Sequence, residues 1–153
     1  MRHVVKIDKN WYFTGFDGAR TSVQLPHTWN AKDGQDGGND YFRGSCVYFK
    51  NISKADLPEN DRYYIEINGA NSSAQLYVNG EKMAEHHGGY STWRADITDK
   101  LKEENTIAVV VDNSANESVY PQTADFTFYG GIYRDVEWLV VNKNHFDLDY
   151  CGS

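Results

Sequence analysis

The stretch Arg62-Tyr63-Tyr64-Ile65-Glu66-Ile67-Asn68, with Ala74-Gln75-Leu76-Tyr77-Val78-Asn79-Gly80 after it, decides the fold. Tyr63, Ile65 and Ile67 recur at every second position, with Tyr64, Glu66 and Asn68 between them. Ala74, Leu76 and Val78 alternate with Gln75 and Tyr77 in the same way. Successive side chains of a strand leave opposite faces, so this alternation predicts two half-buried strands. Asn79-Gly80 then reads as a two-residue hairpin turn, because both central positions of a type I′ turn need positive φ. The return strand falls at 81–86.

Working outward, the same period of two predicts strands at 3–7, 12–13, 45–49, 93–97, 106–112, 136–141 and 146–148. One short helical turn is expected at 97–101, with Thr98 as its cap. Many short strands with frequent turn signals specify a sandwich or a barrel. The expected fold is all-β, a two-sheet jelly-roll β-sandwich.

The chain has 153 residues, which fits a single domain over 1–153. It carries 11 Tyr, 7 Phe and 4 Trp, enough large rings to fill a core without metal or disulfide staples. Its formal net charge of −7 disfavours nucleic acid, whose phosphates require a positive surface, and anionic membranes. Cys46 lies in an apolar run and reads as a small buried hydrophobe, and Cys151 sits in the tail. No signal peptide is read at Met1-Arg2-His3-Val4-Val5-Lys6, and the compartment, bacterial cytoplasm or outside the cell, stays open.

Two segments interrupt the strand pattern, 25–44 and 113–134. Ordered loops of that length usually carry function. The first holds Pro26-His27-Thr28-Trp29-Asn30 and then Asp33, Asp36, Asn39 and Asp40 among glycines. Its spacing is wrong for an EF-hand, since Gln35 stands at a ligand position and no glutamate closes the loop. A solvated loop is the plain reading of these residues. His86-His87 would face opposite ways on a strand and so read as edge residues rather than ligands of one ion. His27 reads as a packing or hydrogen-bonding residue.

The second segment contains Asp125-Phe126-Thr127-Phe128-Tyr129-Gly130-Gly131-Ile132-Tyr133-Arg134-Asp135-Val136. This run resembles the signature that closes the first domain of glycoside hydrolase family 2. Other pieces agree in order: Trp11-Tyr12-Phe13, Leu25-Pro26-His27-Thr28-Trp29-Asn30, Gly44-Ser45-Cys46-Val47-Tyr48-Phe49, Leu76-Tyr77-Val78-Asn79-Gly80, Gly88-Gly89-Tyr90 with Asp96-Ile97-Thr98, and Asn105 to Val111. Cys46 and Val47 depart from the family's Trp-Tyr strand.

The resemblance implies an N-terminal sugar-binding domain of a retaining enzyme of the β-galactosidase or β-glucuronidase type. The family's two catalytic glutamates lie on a (β/α)₈ barrel that follows an immunoglobulin-like domain. Neither domain is in this chain, so it is expected to be inactive alone. The resemblance further implies a galactose-binding-domain-like fold, that Asp125 contacts sugar hydroxyls, that the first long segment can form a sugar-contacting rim with Asp40 and Asn39 the better candidates, that Arg134 is structural, and that Gly130 and Gly131 supply turn geometry or close approach. Tyr129 and Tyr133 are read as core aromatics. No cofactor is implied for this chain, and sodium or magnesium for the longer enzyme. Expected partners are a β-galactoside or related glycoside, the remaining domains, and further copies in a homo-oligomer. The competing reading is an independent carbohydrate-binding module or lectin, which the fold cannot separate from the first.

Overall fold

In the computed structural model, which describes residues 2–31, 41–121, 123–124 and 126–149, ten strands form two antiparallel sheets. The strands are β1 (His3–Lys6), β2 (Trp11–Thr14), β3 (Arg20–Val23), β4 (Ser45–Ser53), β5 (Arg62–Ile67), β6 (Ser73–Val78), β7 (Glu81–His87), β8 (Trp93–Asp96), β9 (Glu104–Asp112) and β10 (Val136–Val141). One sheet runs β1-β10-β5-β8, and the other β3-β2-β4-β9-β6-β7. This is the two-sheet sandwich that the alternation predicts.

The alternation converts directly into packing. Tyr63, Ile65 and Ile67 of β5 pair in register with Val140, Trp138 and Val136 of β10, and all six are buried. From the facing sheet, Leu76 and Val78 of β6 pair with Val109 and Ile107 of β9, each with no exposed surface. Trp11, Tyr48 and Trp138 add the largest buried rings. A fully buried aliphatic side chain contributes roughly 1.5–3 kcal/mol, so this inner layer dominates the stabilisation. Asn79 (φ 53°) and Gly80 (φ 83°) make the expected hairpin turn.

Three local expectations change. Arg20–Val23 is a strand, although its Arg-Thr-Ser-Val sequence carries no alternation; β3 is an edge strand with three exposed residues. The helical turn is a 3₁₀ turn over Thr98–Lys100, and its N-cap is Ile97. Thr98 does not cap it; Asp96 Oδ1 instead accepts from both the backbone and the hydroxyl of Thr98.

The third change lies at 146–148, where the chain forms no strand. It belongs to a segment that folds back over the outer face of the four-stranded sheet. Glu66 and Arg94 form a half-hidden ion pair there, Nη2 to Oε2 2.6 Å, with side chains 8% and 16% exposed. Arg94 also donates to the carbonyl of Leu148 and, at 2.6 Å, to Asp149 Oδ1. His145 meets Tyr64 edge-on at 5.9 Å. Leu139 and Val141 point to that outer face and are nonetheless buried.

Candidate functional site

Asp125, Asp40 and Asn39, the three residues singled out as sugar contacts, lie outside the described residues, as do Asp33, Asp36 and Cys151. The structure does describe the frame on which the Asp125 run is mounted. Residues 130–132 are threaded between two other segments. On one side, His27 N–H donates to the Ile132 carbonyl (2.8 Å) and Trp29 N–H to that of Gly130 (3.2 Å). The Thr28 hydroxyl donates to the same Gly130 carbonyl at 2.7 Å. On the other side, Asn71 N–H donates to Gly131 O (3.1 Å) and its side-chain amide to Tyr129 O (2.8 Å).

Beneath the loop sit two asparagines with no exposed surface, Asn30 and Asn113. Asn113 Nδ2 donates to Phe128 O (2.8 Å) and to Asn30 Oδ1 (3.1 Å), while its Oδ1 accepts from Gly44 N–H (2.9 Å). Asn30 Oδ1 also accepts from Gly130 N–H (2.7 Å), and its Nδ2 donates to Phe42 O (2.9 Å). Tyr41 supplies a further acceptor, its hydroxyl taking the Phe128 N–H at 3.2 Å. Irregular backbone can be buried only if its polar groups are paired, and the two side-chain amides do that here. Both were legible as residues of the two long segments, but no periodicity marked them as a pair.

The two glycines act differently. Gly131 has φ 133°, a conformation side chains rarely adopt, and it lies against the His27 carbonyl. At Gly130 the constraint is space, since an added Cβ would sit 2.7 Å from Asn113 Cγ and closer still to the Trp29 indole.

The outer side of this frame is an open cleft of about 200 Å³ lined by Asn71, Tyr90, Phe126, Thr127, Tyr129 and Tyr133. Tyr129 is therefore no core residue: it is 43% exposed, because its backbone is tied down by Asn71 and its ring turns outward. Tyr133 is half-buried, donates to the Gly89 carbonyl and meets Tyr90 edge-on at 6.5 Å. Burial pushes its phenol pKa up, so it stays a donor. Arg134 takes the structural place expected of it, donating to Tyr90 O (2.9 Å) and Asn68 O (3.4 Å). Aromatic faces with hydroxyl and amide edges suit a ligand with alternating C–H and O–H surfaces.

His27 packs as expected, its Nδ1 2.7 Å from the Tyr48 hydroxyl. Burial lowers its pKa below the ordinary 6.5. The unfolded chain then binds the proton first as pH falls, so stability is full above about pH 6.5 and declines below it. Melting temperature is expected to drop between pH 7.5 and 5.5, and His27→Gln to flatten that slope. Parallel slopes for the two proteins would contradict this. His86 stacks on Trp93 at 5.5 Å and His87 pairs with Glu85 at 3.3 Å, on opposite faces of β7. Cys46 is buried, and burial raises its thiol pKa to about 11, leaving it a packing residue.

Residues 1–142 match the family model described as glycosyl hydrolases family 2, sugar binding domain. The chain is 36% identical to a β-glucuronidase of Bacteroides fragilis, covering 99% of this chain and 23% of that protein. It is 33% identical to a β-galactosidase of Thermoanaerobacter pseudethanolicus, covering 80% of this chain and 17% of that one. Among solved structures it superposes on an FMN-binding β-glucuronidase from Faecalibacterium prausnitzii L2-6 with a TM-score of 0.91 and 42% identity, over 98% of this chain and 24% of that one. It thus spans less than a quarter of the length of each. With the sandwich, the clamped Gly130-Gly131 loop and these matches together, the chain belongs to the sugar-binding domains of glycoside hydrolase family 2.

Proposed function

We propose that this chain forms one wall of the glycone pocket in a longer retaining β-glycosidase, continued by an immunoglobulin-like domain and a catalytic barrel. The observation that carries the reading is the clamped run 126–134, which ties its backbone into the sandwich and leaves Phe126 and Tyr129 outward beside the cleft. Asp125 immediately precedes that run. A carboxylate there accepts two sugar hydroxyls, and charge-assisted hydrogen bonds are the strong kind. The general acid and the nucleophile belong to the barrel.

The sequence alone favours a galactoside. The relatives at 36% and 42% identity bear β-glucuronidase names, and the one at 33% a β-galactosidase name, which supports a β-glucuronide as the first substrate to test and a β-galactoside as the second. Homo-oligomerisation of the longer enzyme is part of the same proposal. Among the described residues no three His, Cys, Asp or Glu side chains gather. No step of this role is routed through a metal.

Asp125→Ala in the longer enzyme is expected to lower kcat/KM for p-nitrophenyl β-D-glucuronide about tenfold or more, the loss of one charged hydrogen bond worth roughly 1.5–3 kcal/mol. Unchanged turnover would reduce the chain to a structural domain. The second reading, a free-standing carbohydrate-binding module, requires strong binding by the chain itself. A single aspartate on half a pocket falls short of the roughly −4.1 kcal/mol that millimolar affinity needs. Titration calorimetry of the chain with galactose or glucuronate is therefore expected to show binding weaker than millimolar, and tight binding would favour the module.

A further inference from the structure

A second concavity shares no lining residue with the cleft among the described residues. It is a groove of about 460 Å³ between the β2–β3 hairpin and the segment that follows Pro26. The six-stranded sheet carries β2 and β3 at one edge. Phe13 and Thr21 are in-register partners on that face. Both line the groove with Phe16, Asp17, His27 and Trp29.

We propose that this groove is a second carbohydrate subsite that holds a neutral β-linked disaccharide. The proposal rests on the carbohydrate-binding reading of the domain and names a different place and a different sugar class. Phe16, which lies against Phe42 (4.4 Å, 25°), offers a platform, and Phe13 and Trp29 form a near-parallel pair in the same lining (6.0 Å between centroids, 20°). With 69% of Phe16 exposed, its other face is open. The negative face of such a ring attracts the slightly positive C–H edge of a pyranose. Polar groups stand around the platform. Thr21 offers a hydroxyl, Asp17 a carboxylate whose Oδ1 takes only the Ala19 N–H (2.9 Å) among the described residues, and His27 its Nε2. A few polar groups over an apolar lining, at this volume, is the usual make-up of a small-ligand site.

Charge selects the ligand class. Among the described residues the lining holds one carboxylate and no lysine or arginine. Burial keeps His27 neutral near pH 7. Against these described groups a uronate or phosphate meets repulsion from Asp17, whereas a neutral sugar meets none.

The test uses the longer enzyme and cellobiose, a neutral disaccharide that is neither a β-glucuronide nor a β-galactoside, observed by saturation-transfer NMR. The expected result is saturable binding with a dissociation constant of order 10 mM. Phe16→Ala should weaken it at least threefold, and Ala19→Tyr, which fills the groove from an exposed turn, should block it. Both variants should keep wild-type turnover of the glycoside substrate. Asp125→Ala should do the reverse, losing turnover while keeping cellobiose, so failure of the groove and failure of the glycone reading are separable. Absence of a cellobiose signal, as when another part of the longer chain covers the groove, overturns the proposal. So does a signal indifferent to both groove variants.

Discussion

Replacing Gly130 with alanine is expected to destabilise the chain by about 3 kcal/mol or more, and to displace the loop that presents Asp125. The added methyl would overlap the Trp29 indole and stand 2.7 Å from Asn113 Cγ. Neither neighbour can retreat. Trp29 is stacked against Phe13, and Asn113 is fixed by bonds to Gly44, Asn30 and Phe128. Gly130 cannot retreat either, because its carbonyl takes the Thr28 hydroxyl and its N–H is held by Asn30. Overpacking usually costs about 1–3 kcal/mol, and a clash with no soft neighbour belongs at or beyond the top of that range. The melting temperature should fall by about 6–12 °C. In the longer enzyme kcat/KM should fall with it, as misplacing a contact by about 1 Å can cost about 100-fold. Trp29→Phe in the same background should restore part of the stability by clearing the space. A Gly130→Ala protein that melts like the wild type would mean that the loop is not clamped as described.

Asn113→Ala should cost a comparable amount, about 3–4 kcal/mol, for a different reason. The substitution leaves the Gly44 N–H and the Phe128 carbonyl buried without their partner, and takes one donor from Asn30 Oδ1. Each abandoned buried group costs about 1–3 kcal/mol. Asn113→Asp, of the same shape, should be at least as harmful, because it turns two donated hydrogen bonds into carboxylate–carbonyl repulsion in a site with no exposed surface. Asn142→Ala, at an exposed position, sets the baseline at about 0.5 kcal/mol or less. Equilibrium denaturation of the three variants checks the order. A mild Asn113→Ala would show that water replaces the amide and that the hub is not the anchor.

Legibility followed the range of the interactions. The strands β5, β6 and β10 were readable because period-two burial is written in neighbouring residues. β3 was not, because an edge strand with exposed Arg-Thr-Ser buries one face only at its last residue. The run 146–148 looked like a strand, but its polar groups go to Arg94, 54 and 55 residues away, rather than to a ladder. Tyr129 reads as core because aromatic rings usually are, whereas its carbonyl is held by Asn71 and its ring is exposed. The Asn30–Asn113 pair bridges 83 residues, and two ordinary loop asparagines give no local sign that they meet.

The sequence by itself determined an all-strand sandwich, the Asn79-Gly80 turn and membership of a sugar-binding family, since alternation, turn chemistry and motif order are properties of adjacent residues. Only the tertiary structure decided which residues hold the Asp125-bearing loop, which tyrosine faces the cleft, and that a second groove opens beside the β2–β3 hairpin. Those follow from burial of polar backbone and from rings such as Phe13, Trp29 and Tyr48 that meet across segments. Both are set by contacts between segments far apart in the chain.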